Sequence, residues 1–257
     1  MFGVPVWKKD YHNTAHVAEA AARIKAALKP GDMVNTDAAL KTWWDLPTSF
    51  AWKLIPWDQR KVFGGNSVFK DIHSTMYLDP EHTFSMQYPE GGVYLKVEDY
   101  CLDPIAVYRY RRHEFDDGDI RIMRKFADKI IGKKYALSEL IHILFETILN
   151  FDFEGKKRPR FRKRRWVCST ATRVVFEKWR KFWNRLNPGK PKMHRLFDTL
   201  NPNLDPPYTR VRDLFLHGSY PNGVDIEMTS PAHYANSAFY GHEFELVAMF
   251  DNGEGVG

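Results

Sequence analysis

The spacing of apolar positions divides the chain into an opening helix, a block of short strands and a block of longer helices. Val17, Ala20, Ala21, Ile24, Ala27 and Leu28 recur at helical intervals, with Thr14 placed to cap the run and Pro30-Gly31 to end it. Asp32–Asn35 then reads as a short strand entered through a tight turn. Residues 41–63 are rich in Trp, Phe and Pro without a clean period, which predicts a packed loop. From Asp71 the pattern shifts to short β-forming runs: Ile72–Leu78, Thr83–Tyr88, Gly92–Val97 and Ile105–Arg109. Asp-Pro, Pro-Glu-Gly-Gly and a second Asp-Pro separate these runs, and connections this short predict a largely antiparallel sheet.

Helical spacing returns with Ile120, Met123, Phe126, Ile130 and Ile131, and again with Leu137, Leu140, Ile141, Leu144, Phe145, Ile148 and Leu149. The best helix carries Cys168, Ala171, Val175, Trp179, Phe182 and Leu186 before Asn187-Pro188-Gly189 stops it. The rest reads as Pro-rich loop, a short segment at Val211–Leu216 and a strand at Phe244–Phe250. A sheet block followed by a helix block is an α+β arrangement.

Composition narrows the class. With 257 residues, 44% hydrophobic and 27% charged, the chain is too apolar for a disordered segment. No run approaches the ~18 consecutive apolar residues of a membrane helix, and the first residues lack the apolar stretch of a signal peptide. Two cysteines, Cys101 and Cys168, make no disulfide scaffold. The expectation is a protein of a reducing compartment, cytoplasmic or virion-associated. Eight cations fall within ten residues: Lys156, Lys157, Arg158, Arg160, Arg162, Lys163, Arg164 and Arg165. Without them the net charge drops from +6 to −2, so the basicity reads as one local feature. That run is either a clamp for an anionic surface or nucleic acid, or a solvated loop. His12 and His16 stand four apart, as two metal ligands would, but no third ligand lies near them, and no metal is expected.

Cys168 stands where the strongest helix begins. Unpaired N–H groups and the positive end of the helix dipole there favour thiolate over thiol and can hold an oxyanion. Cys101, between Tyr100 and Leu102 beside a turn, reads as structural. A nucleophilic cysteine needs a base, and His73, on a strand, is better placed than His82, His113, His142 or His242.

Several short stretches carry a resemblance. Gly31-Asp32-Met33-Val34, the strand opened by His73, and Met86-Gln87-Tyr88-Pro89-Glu90-Gly91-Gly92-Val93 come first. Gly132-Lys133-Lys134-Tyr135, Val167-Cys168-Ser169-Thr170 and Thr229-Ser230-Pro231 follow. In this order they resemble the circularly permuted, YiiX-like branch of the NlpC-type papain-like cysteine hydrolases, over about residues 30–250. The resemblance implies a papain-like antiparallel sheet packed against helices. Residues 1–30 would be a helical appendage, and 31–257 the catalytic domain with a basic insertion at about 152–166. It also implies Cys168 as nucleophile, His73 as general base, Gln87 as the group that orients the imidazole, and Tyr135 as a site residue that helps hold the oxyanion. Family members often carry a carboxylate where Gln87 aligns, and the 33 positions from Tyr135 to Cys168 exceed the usual gap. The implied reaction is hydrolysis of an amide or ester through an acyl-enzyme, without cofactor or metal, on a peptide, peptidoglycan-like or acyl substrate. Two alternatives stand beside it. One is a catalytically silent papain-like fold serving as a virion component or effector. The other is an anionic-surface or nucleic-acid binding module using residues 156–165.

Overall fold

A computed structural model describes residues 11–36, 73–87, 90–135, 167–197, 229, 231–239 and 241–256. Helix α1 (Thr14–Ala27) leads into β1 (Met33–Thr36). Strands β2 (His73–Asp79), β3 (His82–Gln87), β4 (Gly91–Leu95) and β5 (Ile105–Tyr110) follow. Then come α2 (Asp117–Asp128), α3 (Cys168–Leu186), α4 (Pro231–Phe239), β6 (Phe244–Asp251) and the two-residue β7 (Glu254–Gly255). The strands form one antiparallel sheet in the order β4-β3-β2-β1-β5-β6-β7. The class is α+β. The apolar stripe at 137–149, the Trp-rich stretch at 41–63, Val211–Leu216 and the basic run at 156–165 lie outside the described residues.

Two elements differ from the sequence expectation. Residues 231–239, read as loop, form α4: Pro231 at the first helical position has no N–H to leave unpaired. The cap of α1 is Asn13, whose side chain accepts from the His16 N–H at 3.2 Å, while Thr14 is the first helical residue.

Strand alternation sends the two faces of the sheet into two cores. Met33, Met76, Phe84, Met86 and Tyr108 pack under α2, α3 and α4. Val34, Tyr77, Ile105 and Val107 pack under α1. Thus α1 supplies a whole layer of the molecule. Its end is pinned by Asp32, which takes both Arg109 Nε (2.9 Å) and Nη2 (2.8 Å) as well as the Lys29 N–H (2.8 Å). Burial pushes the Asp32 carboxyl up, against the pull of the Arg109 guanidinium and the Lys29 N–H.

A strap at residues 193–197 closes the helical side. Glu177 accepts the Leu196 N–H, Glu243 accepts the Phe197 N–H, and fully buried Arg173 donates to the Leu196 carbonyl. Burial pushes the Glu243 carboxyl up to about 7, from an ordinary value of 4.5, against the pull of the backbone N–H, Ser237, Arg112 and Arg173. The folded chain therefore holds this proton more tightly than the unfolded one. Its contribution to stability is complete below about pH 4.5 and disappears as pH rises through about 7. Glu243→Gln should match wild type near pH 4 and be the more stable protein at pH 8, by up to roughly 3 kcal/mol. Urea unfolding midpoints at the two pH values check this; an equal gap at both would assign the effect to packing.

Candidate functional site

Cys168 is the first residue of α3, after an extended Val167 that contributes no side-chain cap. The N–H groups of the first turn are therefore available to other acceptors. Cys168 is 4% exposed, and the backbone N–H groups of Ser169 and of Ser74 on β2 lie against its sulfur. The Ser169 hydroxyl also lies beside it, but its one proton goes to the Thr229 carbonyl. Burial outweighs these donors and raises the thiol above its ordinary range. This corrects the expectation from the helix start, because the dipole and N–H groups act on a sulfur that has lost its water.

Ser74 explains how a helix tip meets a sheet. The last β2–β3 pair on the His73 side is Met76↔Phe84, so the strands part beyond it, and the Ser74 peptide gives its N–H to sulfur. The Ser74 hydroxyl donates to Asn35 Oδ1 at 2.7 Å, and Asn35 Nδ2 donates to the Pro231 carbonyl at 3.0 Å. With Ser169 on Thr229, this buried chain ties β1, β2, the start of α3 and the start of α4 around the sulfur.

His73 precedes that peptide, and its Nε2 lies 2.9 Å from Ser85 Oγ. Here the structure departs from the assignment of Gln87. Continuing the Met76↔Phe84 register would set Gln87 opposite His73, but the ladder has ended there. The ring leans to the diagonal neighbour on β3 instead, and the hydroxyl that bonds it is Ser85's, not the Gln87 amide. Ser85 shares its side of β3 with Thr83, which bonds Tyr100 beneath α1, whereas Phe84 and Met86 face α3. The imidazole thus lies on the α1 side of the sheet and the thiol on the α3 side.

Tyr135, 6% exposed, meets Cys168 directly: its hydroxyl accepts the Cys168 N–H and donates to the sulfur. Burial and the neighbouring sulfur push the phenol well above its ordinary range, so it keeps its proton. The wide sequence gap is closed by β4. The Gly92 N–H donates to the Lys133 carbonyl (2.9 Å) and the Gly132 N–H to the Gly92 carbonyl (2.8 Å), docking the segment that ends in Tyr135.

The other candidates go elsewhere. Cys101 lies in the α1 core, its thiol directed at the Val17 and Glu98 carbonyls. His82 sits between Asp79 and Arg124, and His113 donates through Nε2 to Asp119 Oδ2 at 2.6 Å. No group of three side chains suited to a metal ion occurs among the described residues. Sequence reasoning missed Ser74, Ser85 and Asn35, since serine and asparagine on a strand carry no distinctive pattern. The chain matches no family model and no curated protein.

Proposed function

We propose that the protein is a cysteine hydrolase of the permuted papain-like kind, cleaving an amide or ester bond through an acyl-enzyme on Cys168. The observation that carries this is the meeting, at the start of α3, of the sulfur, the Tyr135 hydroxyl and the peptide that follows His73. In this reading the His73 ring, held by Ser85 at Nε2, turns at the end of β2 so that Nδ1 meets the sulfur. His73 takes the thiol proton as sulfur attacks the carbonyl carbon. The Cys168 N–H and the Tyr135 O–H turn from each other and from sulfur to the developing oxyanion. His73 then passes the proton to the leaving amine or alcohol, and water, deprotonated by the same ring, releases the acid. A hydroxyl at Ser85 stabilises an imidazolium less than a carboxylate would. Together with the raised thiol, this favours proton transfer at the moment of attack over a standing thiolate–imidazolium pair.

The buried sulfur also suits the rival reading, a silent papain-like fold, and one experiment separates the two. Iodoacetamide labelling of Cys168 is followed by mass spectrometry against pH, together with turnover of acyl esters, peptidoglycan fragments and isopeptides. Wild type should label slowly at neutral pH and faster as pH rises. His73→Ala should shift that profile upward, and Ser85→Asp should shift it downward. Cys168→Ala should remove turnover by about 10³-fold or more. A Cys168 profile indifferent to His73→Ala would mean that the two groups do not form a couple, and the silent fold would stand.

A further inference from the structure

Among the described residues, paired and unpaired cations are segregated by layer. Residues 117–135 and 167–197 hold fourteen Lys and Arg against four Asp and Glu. The positive charge is therefore not confined to the run at 156–165, and the structure gathers much of the rest on one side. Among the described residues, five cations toward the α1 side are paired with an acid: Arg23 with Glu254, Lys25 with Glu98, Lys29 with Glu114, Lys96 with Glu81 and Arg109 with Asp32. On the opposite side, α2 and α3 pack against each other, joined by Trp179 Nε1 on Asp119 Oδ1 at 2.7 Å. Their outer faces expose Arg121, Lys125 and Lys129, then Lys178, Lys181 and Arg185, none of them in an ion pair among the described residues.

Like charges at i, i+4 destabilise a helix, and three such pairs occur here: Arg121/Lys125, Lys125/Lys129 and Lys181/Arg185. The helix dipole favours the cations of the last turns, Lys125 and Arg185, but gives no reason for Arg121 or Lys178. The same surface carries Leu186, 62% exposed and the most exposed large apolar side chain among the described residues. Lys190 and Lys192 follow it across the Asn187-Pro188-Gly189 turn, with Lys190 Nζ 5.5 Å above the Trp183 ring.

We propose that the outer face of α2 and α3 docks on an anionic phospholipid surface, with Leu186 entering the headgroup layer and the two lysine-arginine stripes facing lipid phosphates and carboxylates. Unpaired cations beside a projecting leucine fit a membrane interface, where both gain. A nucleic-acid strand would use the cations and leave the leucine in water.

The test is co-sedimentation of the full chain with vesicles of phosphatidylcholine alone and of phosphatidylcholine with phosphatidylserine, at low and high salt. Three variants are compared with wild type: Arg121→Glu/Lys125→Glu/Lys181→Glu, Leu186→Ser, and a charge-matched Lys156→Glu/Arg158→Glu/Arg160→Glu. Near-ultraviolet circular dichroism confirms that each is folded. Wild type should bind only the phosphatidylserine vesicles and release with salt. The face variant should bind at least about tenfold more weakly, and Leu186→Ser should bind more weakly at every salt concentration. Face-variant binding equal to wild type would overturn the proposal. So would loss of binding in the 156–160 variant alone, or binding of a single-stranded oligonucleotide while both kinds of vesicle are ignored.

Discussion

Trp179→Ala should lower the stability of the protein by about 3–5 kcal/mol, enough to move thermal unfolding down by on the order of 10 °C. Trp179 is fully buried on the face of α3 that meets α2 and the sheet. Its ring stands edge-on to Phe115 (4.9 Å between centroids) and Phe176 (5.2 Å), and tilted against His113 (5.2 Å). Alanine removes most of that packing and leaves a cavity bordered by three rings that cannot all close in. It also takes the indole donor from Asp119, whose other oxygen is already committed to His113 and the Asp116 N–H. Trp179→Phe separates the two costs, since it keeps most of the volume and loses only the hydrogen bond, and it should fall between alanine and wild type. Denaturant unfolding of the three proteins checks the order. If phenylalanine proves as damaging as alanine, the Asp119 bond dominates rather than the packing.

Gly91→Ala should cost about 2–3 kcal/mol and disturb the candidate site some distance away in sequence. Gly91 has φ +88°, in the left-handed region, and a Cβ there would stand 1.9 Å from the Lys133 carbonyl oxygen. Next to it, a Cβ on Gly92 would stand 2.3 Å from the Ile130 carbonyl oxygen. Both obstacles are backbone, so the segment from 130 to 135 must move away from β4, and Tyr135 must move with it. The expected signature is therefore double: a lower unfolding midpoint, and a Cys168 alkylation profile displaced from that of wild type, as Tyr135→Phe should also displace it. Should the midpoint fall while the Cys168 profile stays that of wild type, β4 does not seat Tyr135. The Gly-Gly pair and the Gly-Lys-Lys-Tyr stretch, which look like separate motifs in the sequence, are two sides of one backbone contact.

Much of the architecture is legible along the chain because its signals are local. The alternation in His73–Leu78 and in Thr83–Gln87, with Asp-Pro between them, marks a hairpin within a residue or so of its bounds. The run from Cys168 to Leu186 matches α3 end to end. Helix α4 escapes because Pro231 and the small residues that follow it present no apolar stripe. The aromatic that packs, Tyr234, is buried against Phe197, far from it in sequence, and against Phe244 at the start of the next strand.

For the candidate site, the sequence by itself determined that a cysteine opens a strong helix and that a histidine opens a strand, since both follow from periodicity and from residue position. Only the tertiary structure decided which side of the pKa balance the thiol falls on, which hydroxyl holds the imidazole and how Tyr135 arrives. Each of these depends on burial or register. Loss of water outweighs a helix dipole at Cys168, and a ladder that ends at Met76↔Phe84 hands His73 to Ser85. Neither burial nor the end of a ladder is a property of neighbouring residues, so no local pattern encodes it.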